Sequence, residues 1–253
     1  MNDFNLLIFN VIIIVLFSCN GQAQEIPNGK SQITVRIAAL KISKAINENK
    51  DGVFDLMIED IEKLSGVAHQ YIIVPTARGA EMFFKHKVDC LIPAAFYMPY
   101  YKGYNVIFSE VYVEATYHIF THKDDVIITN KNQLKNKTIG VIRDRSSWDF
   151  QKRYDIQGST FVKVNDSNAL ASMLNKKHID AVIGSKGFIR LNKKLGYPTP
   201  NYSPEYPLAV DKLTIVCHKS EANNRYIQAI NPHIKEIVNS GKMKIYQNKS
   251  FSH

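Results

Sequence analysis

Two segments of small residues follow short apolar strands in this chain, and there the backbone could lie close to a ligand. The two copies of this pattern read Lys87-Val88-Asp89-Cys90-Leu91-Ile92-Pro93-Ala94 and Lys177-His178-Ile179-Asp180-Ala181-Val182-Ile183-Gly184. Ligands of open α/β sheets sit beyond the carboxyl ends of the strands, so residues 93–97 and 184–187 would face a shared crevice. Chance similarity between two ordinary helix-to-strand turns is the alternative.

A basic, hydroxyl-bearing run follows the predicted strand at residues 138–142. It reads Arg143-Asp144-Arg145-Ser146-Ser147-Trp148 and opens a predicted helix at residues 147–154. An anion at a helix N-terminus gains from free backbone donors and from the helix dipole, so Arg145 and Ser146 are candidates for anion binding. Alternatively, both arginines pair with Asp144 and Asp149 on the surface, while Ser146 only caps the helix.

Other kinds of site lack a sequence pattern. The eight His are scattered without metal-ligand spacing, so no metal is expected. An enzyme would require a general acid or base, for which Glu110, Glu114 and Asp144 are the available carboxylates. The isolated Gly158-Ser159 step lacks the context of a nucleophile elbow.

Alternating elements surround these segments. Strands are predicted at residues 33–39, 71–75, 88–93, 138–142, 160–164 and 179–184, and helices at 53–65, 76–86, 147–154, 167–177, 186–195 and 221–239. The pattern restarts near Thr138, which indicates a second α/β unit. The extended stretches 111–123 and 208–219 are predicted to cross from one unit to the other and back.

The first residues have the composition of an export signal. Residues 6–17 are apolar apart from Asn10, and that stretch is too short to span a membrane. Leu16-Phe17-Ser18-Cys19 approximates a lipobox, which would make Cys19 the lipidated first residue of the mature protein. Gly21-Gln22-Ala23 offers a competing cleavage site for ordinary secretion.

Cysteine usage and charge narrow the class of protein further. Cys90 and Cys217 both lie in apolar strands, where each could be a free, buried thiol or one half of a disulfide. The formal net charge of +9 is spread over the whole chain. That distribution and the expected export argue against nucleic acid as a partner and favour anionic ligands and envelope surfaces.

Six short motifs in order resemble the family-three extracellular solute-binding proteins, the receptors of polar amino acid ABC transporters. They are Gly52-Val53-Phe54-Asp55-Leu56-Met57, Tyr71-Ile72-Ile73-Val74-Pro75-Thr76, Lys87-Val88-Asp89, Ile107-Phe108-Ser109-Glu110-Val111-Tyr112, Leu134-Lys135-Asn136-Lys137-Thr138-Ile139-Gly140-Val141 and Ile179-Asp180-Ala181-Val182. The resemblance covers residues 31–248. It implies a two-lobed periplasmic-binding-protein fold with two hinge strands and no cofactor. Residues 1–19 would be the signal with its lipobox, residues 25–114 plus 212–253 lobe 1, and residues 115–211 lobe 2.

The chain departs from the family at the positions that hold an amino acid. The Arg that binds the α-carboxylate corresponds to Lys102, which retains a point charge but not bidentate geometry. The Asp that binds the α-ammonium corresponds to Ser185, so the charge that a zwitterion requires is lost. Tyr97 stands in the small polar run of lobe 1, and Tyr100-Tyr101 are interpreted either as stacking walls or as packing. Arg78, at the start of the helix after Pro75-Thr76, is a weaker candidate for ligand binding.

In lobe 2 the resemblance implies ligand-binding roles for Ser146, Arg145 and Trp148. Trp148 would alternatively pack into the lobe core. The resemblance and the departures together imply a binding protein for a small anionic solute that works with an ABC permease or a sensor. It would be monomeric and periplasmic, and it would contact the membrane only through its lipid anchor. A dehydratase derived from such a binding protein and a sensory or scaffolding lipoprotein with a degenerate cleft are the alternatives.

Overall fold

The computed structural model describes residues 35–42, 44–143 and 156–251. Strands in these ranges are β1 Val35–Leu40, β2 His69–Val74, β3 Cys90–Ala95, β4 Val106–Phe108, β5 Val113–Thr121, β6 Thr138–Ile142, β7 Thr160–Val164, β8 Ala181–Gly184 and β9 Ala209–His218. The α-helices are α1 Val53–Ser65, α2 Thr76–Phe84, α3 Ser167–Asn175, α4 Gly187–Lys194, α5 Glu221–Asn239 and α6 Lys242–Phe251, with 3₁₀ turns at Met98–Tyr101 and Lys131–Leu134. The helix predicted at 147–154 lies outside the described residues.

The strands form one nine-stranded sheet in the order β2-β1-β3-β9-β5-β8-β6-β7, and β4 also pairs with β9. The strands β1, β2 and β3 are parallel at one end, as are β6, β7 and β8 at the other. Only β5 and β9 belong to both halves, and they run antiparallel to each other. This is the two-lobed α/β fold with two connecting strands that the sequence predicted. The lobe boundaries at residues 114/115 and 211/212 fall in the paired part of β5 and β9 and stay a prediction.

Lobe 1 has an apolar layer on each face of its sheet. On one face α1, α5 and α6 cover a core that includes Ile37, Met57, Ile61, Ile230 and Ile234. Helix α1 ends at Gly66, whose φ of 67° lies in the left-handed region that favours glycine. On the other face α2 and the Met98–Tyr101 turn pack Phe83, Phe84 and Tyr101 together.

Lobe 2 is built in the same way around β6, β7 and β8. Helices α3 and α4 bury Leu170, Leu174 and Phe188 against one face of the sheet. Leu134 and Ile156 help to cover the other face. Asp166 caps the start of α3, since its carboxylate accepts a hydrogen bond from the backbone N of Ala169 at 2.9 Å.

The repeated turn has the same backbone in both lobes. Helix α2 is followed by His86 with φ 54°, and α3 by Lys177 with φ 56°, so both helices end at a left-handed residue. The next residue closes each turn: the backbone N of Lys87 donates to Met82 and that of His178 donates to Met173. The two segments therefore share a backbone conformation as well as their residue types.

Cys90 and Cys217, left open by the sequence, are joined by a disulfide. The two residues lie opposite each other on β3 and β9, with their Cα atoms 4.0 Å apart. Both are fully buried in the core of lobe 1. The bridge thus ties β3 to one of the two strands that connect the lobes.

Within the described ranges, no helix is both long and apolar enough to cross a membrane. The predicted signal and lipobox, with Cys19, lie outside the described residues.

Candidate functional site

The register of the sheet fixes where the two sets of carboxyl strand ends lie. Ala95, the last residue of β3, pairs with Leu213, which in turn pairs with Val113 on β5. Gly184, the last residue of β8, pairs with His118, which also lies on β5. The two rows are therefore five positions apart along β5, or about 17 Å. Because β5 is antiparallel to β8 and to β9, and β9 is antiparallel to β3, the carboxyl ends of β3 and β8 face each other across the hinge, where a cleft between the lobes is expected.

On the lobe 1 side, Arg78 lies in the first turn of α2, directly after the carboxyl end of β2. Its side chain is exposed, and it forms no hydrogen bond or ion pair with another described residue. Helix α2 approaches β1 so closely here that a Cβ on Gly79 would lie 2.4 Å from Leu40 Cδ2. The small residue therefore fixes the first turn of α2, and with it Arg78, against the end of β1.

The aromatic residues after β3 divide between the cleft side and the core. Phe96 remains 51% exposed although its ring meets Phe108 at 4.7 Å, and its backbone N donates to the Lys212 carbonyl on hinge strand β9. Tyr97 is half-buried and precedes the 3₁₀ turn. Tyr101 is 2% exposed and packs against Phe83, Phe84 and Phe108, so for this residue the packing interpretation is correct.

Lys102 ends the Met98–Tyr101 turn and is exposed. Its chain neighbours Tyr101 and Tyr104 both contact Phe84, the last residue of α2, whereas Arg78 lies in the first turn of that helix. The structure therefore does not bring Lys102 and Arg78 together in any described contact. A role for Lys102 in the cleft stays a prediction.

On the lobe 2 side, the residues that follow β6 and β8 are held by backbone hydrogen bonds. Arg143 directly follows β6, donates its backbone N to the Val164 carbonyl at 2.6 Å, and is exposed. Ser185 follows β8, is exposed, and accepts a hydrogen bond from the backbone N of Phe188 at its carbonyl. A Cβ on Gly187 would lie 3.3 Å from the Ser185 Oγ, so the hydroxyl lies over the first turn of α4. Arg145, Ser146 and Trp148 lie outside the described residues.

The charged residues within four positions after the parallel strands are mostly cations. Among the described residues they are Lys41, Lys44, Arg78, Arg143 and Lys186, against Asp166. Asp166 is engaged as the cap of α3, and Lys41 pairs with Glu48 at 2.8 Å. The described edges of the cleft therefore carry a net positive charge, which favours an anion there.

His118 is a residue that the sequence did not single out. It is 1% exposed on β5, in the row where β8 ends, and its ring meets Tyr202 at 5.2 Å. Nδ1 lies 3.1 Å from the Ser203 carbonyl, which can only accept, so Nδ1 carries the hydrogen. Nε2 is then a buried acceptor without a partner among the described residues. Burial lowers the pKa of His118, and nearby Lys186 lowers it further.

Within the described ranges, no three His, Cys, Asp or Glu side chains are grouped so that they could hold a metal ion. The absence of a cofactor stays a prediction of the sequence.

Comparison with known proteins identifies the fold. No family model matches the chain, and no curated protein matches it in sequence. Solved structures do match it in three dimensions. The GluR0 ligand-binding core in complex with L-glutamate has a TM-score of 0.72 at 14% identity, covering 86% of this chain and 98% of that chain.

Two further structures show the same likeness. A mutant of ArgBP from T. maritima has a TM-score of 0.67 at 19% identity, covering 89% of this chain and 98% of that one. The substrate-binding protein of an amino acid ABC transporter has a TM-score of 0.66 at 19% identity, covering 87% and 100%. At these identities the likeness establishes the fold. It is the fold of the family-three solute-binding proteins, as the resemblance in the sequence predicted.

Proposed function

We propose that this chain is an exported solute-binding protein that encloses a small organic anion between its lobes, for an ABC permease or a sensor. The observation that carries the proposal is the charge of the cleft edges, where exposed Arg78, Arg143 and Lys186 follow strand ends of both lobes. A cleft of this sign attracts anions and repels cations. The fold supports binding between lobes, since its neighbours include ligand-binding cores and a substrate-binding protein.

The mechanism that we propose is closure without a covalent step. Ligand first meets lobe 1 at Arg78, Tyr97 and Lys102. Lobe 2 then adds Ser185 and the expected anion-binding run of Arg145, Ser146 and Trp148. The paired part of β5 and β9, where Glu114 lies opposite Lys212, is the segment that would bend. Closure removes water from the ion pairs, and each charge-assisted contact gains strength as the local dielectric falls.

Binding is favoured over dehydratase chemistry by the position of Glu110, one of the carboxylates that such chemistry could use. Its carboxylate lies 3.1 Å from the Lys235 ammonium on α5, and its backbone N donates to the Asn231 side chain at 2.9 Å. Glu110 is therefore directed to the helix layer of lobe 1. Of the three carboxylates considered from the sequence, Asp144 lies outside the described residues. Glu114, on hinge strand β5, is therefore the one that remains as a candidate acid or base.

Export to the periplasm with a lipid on Cys19 is part of the proposal. The support from the described residues is the buried Cys90–Cys217 disulfide, because disulfides persist in oxidising compartments and are rare in the cytosol. Mass spectrometry of the protein from membrane and soluble envelope fractions tests the anchor. A diacylglyceryl-modified Cys19 as the first residue supports it, and an unmodified chain that begins after Ala23 contradicts it.

Native mass spectrometry and a thermal-shift panel test the proposed ligand class. The panel compares dicarboxylates and keto acids with neutral sugars and with basic amino acids. We expect stabilisation by one group of anions that increases with concentration, since a ligand that binds only the folded state raises its melting temperature. Stabilisation by cationic or neutral solutes alone would contradict an anion site.

A further inference from the structure

A second recess lies in lobe 1, away from the cleft. Its volume is about 520 Å³, within the usual range of small-molecule sites. The lining includes His86, Asp89, Tyr104, His218, Lys219 and Ser220. Asp89 immediately precedes β3 and His218 is the last residue of β9, so the recess sits at the amino end of β3, whereas the cleft lies at its carboxyl end.

Two stacked imidazoles, His86 and His218, form one wall of the recess, and the buried ring of Phe83 lies behind them. Phe83 lies against His218 with centroids 4.1 Å apart, and His218 lies against His86 at 3.9 Å. The Nε2 of His218 is 2.8 Å from the Phe83 carbonyl and must donate to it, which leaves Nδ1 as the other polar atom of that ring. His86 is the exposed end of the stack. The hydrogen bond thus fixes the orientation of His218, and His86 stacks on it at the recess.

The single carboxylate of the lining is already neutralised. Asp89 accepts three hydrogen bonds from Arg36, one from its backbone N and two from its guanidinium, at 2.9 to 3.1 Å. The ammonium of Lys219 has no ion pair with a described residue. Ser220 accepts from the backbone N of Asn223, so its own hydroxyl hydrogen remains available to donate. The recess therefore combines cationic and neutral donors without an uncompensated negative charge.

We propose that this recess binds a phosphate group through His86, His218, Lys219 and the Ser220 hydroxyl. Phosphate offers several strong acceptor oxygens in different directions, which suits donors that come from separate segments. The group could belong to a lipid headgroup or to a free phosphate. Arg36, the residue that holds Asp89, is the second residue of β1, so the chain enters lobe 1 beside the recess. A lipid anchor at Cys19 would tether the protein through the residues that precede β1.

Binding should strengthen as the pH falls through the range in which histidine titrates. The titratable and charged groups that face the two imidazoles are Asp89 with its partner Arg36, Lys219 and Tyr104. Burial, together with the neighbouring His86, lowers the pKa of His218, which favours the neutral form of its ring. A bound phosphate would favour its protonated form.

NMR of histidine side chains, recorded on the Cys19→Ser chain so that no lipid is attached, tests the site with inorganic phosphate. We expect millimolar phosphate to shift the His86 and His218 signals at pH 6.0 more than at pH 7.5, and to leave His233 on α5 unmoved. His86→Gln and Lys219→Gln, both at exposed positions, should each weaken phosphate binding by about tenfold. Lys249→Gln, an exposed control on α6, should not change it.

Vesicles distinguish the two sources of phosphate. Binding to phosphatidylglycerol vesicles but not to phosphatidylcholine vesicles, reduced in Lys219→Gln and by competing inorganic phosphate, would assign the recess to a lipid headgroup. Phosphate binding without vesicle binding would assign it to a free phosphate. Histidine signals unmoved by phosphate and by vesicles would overturn the proposal. So would equal shifts with chloride, or variants of His86 and Lys219 that bind like the unaltered chain.

Discussion

Asp89 and Asp180 hold the first strand of their lobes by the same pair of hydrogen bonds. The Asp89 carboxylate accepts from the backbone N of Arg36 at 2.9 Å, and the backbone N of Asp89 donates back to the Arg36 carbonyl. The Asp180 carboxylate accepts from the backbone N of Thr138 at 2.7 Å, and its backbone N donates to the Thr138 carbonyl at 2.8 Å. The repeated turn of the sequence therefore joins β3 to β1 and β8 to β6.

Asp89→Ala and Asp180→Ala should each lower the free energy of unfolding by about 1–3 kcal/mol, because each leaves a backbone N–H at a strand end without its acceptor. Chemical denaturation measures the loss. Asp124→Ala removes an exposed carboxylate that forms ion pairs with Lys123 and His122, and should cost less than about 1 kcal/mol. Similar losses for all three variants would show that the hydrogen bonds accepted by Asp89 and Asp180 contribute no more to stability than an exposed ion pair.

Removal of the Cys90–Cys217 bridge should destabilise the protein without abolishing ligand binding. The bridge joins residues 127 positions apart, and constraining so long a loop in the unfolded chain contributes about 2–5 kcal/mol. The double substitution to Ala should lower the melting temperature and make it insensitive to reductant. The unaltered protein should lose stability when reduced. A reductant-independent melting temperature in the unaltered protein would contradict the presence of the bridge.

Stability should decrease as the pH falls below about 6.5. Burial is the largest cause of a lowered pKa at His69, His118 and His218. A histidine whose pKa is lower in the folded state binds protons more readily when unfolded, so its contribution is complete above the unfolded pKa and is lost as the pH falls toward the folded one. Melting temperatures between pH 7.5 and 5.0 measure this.

His118→Gln should make that decrease less steep, since it removes one of the three imidazoles whose pKa is lowered. His178→Gln, at an exposed position, is the matched control and should leave the slope as it is. An identical slope in the His118 variant would show that His118 does not contribute to the acid sensitivity.

Local patterns in the sequence were sufficient to predict most helices and strands, but not to predict the candidate site. The strands Thr138–Ile142 and Thr160–Val164 and the helix Glu221–Asn239 have the predicted bounds, because alternation, periodicity and caps are local signals. Helix α2 ends two residues before the prediction, at Phe84, since His86 takes a left-handed conformation. Strand β4 was missed, because its pairing with β9 depends on residues distant in the sequence.

The disulfide and the buried acceptor of His118 are products of tertiary packing. Whether Cys90 meets Cys217 depends on the register of β3 against β9, and separation in the sequence does not determine that register. The orphan Nε2 of His118 depends on what surrounds the ring, which includes Tyr202 and Ser203 from a distant loop. The family resemblance predicted the fold correctly. It says least about the ligand, because the chain departs from the family at the ligand-binding positions, Lys102 and Ser185.

Arg78→Ala should weaken the anionic ligand of the thermal-shift panel by about 1.5–3 kcal/mol, through loss of a charge-assisted contact. The stability of this variant should change little, since Arg78 is exposed and has no ion pair with another described residue. Arg225→Ala, which removes an exposed Arg paired with Glu221 on α5, is the control and should bind normally. Equal affinity in the two variants would remove Arg78 from the site.

Lys102→Ala distinguishes the cleft role implied by the family resemblance from a purely surface position. In the cleft, its loss should weaken the same ligand by about 1–3 kcal/mol, and rising salt should weaken binding to the unaltered protein more than to the variant, because screening acts on the removed charge. Calorimetric titration at two ionic strengths measures both quantities. Lys85→Ala, an exposed cation just after α2 that pairs with Glu81, is the control. Unchanged affinity and unchanged salt dependence would place Lys102 with its neighbours Tyr101 and Tyr104, beside the last turn of α2 and away from the ligand.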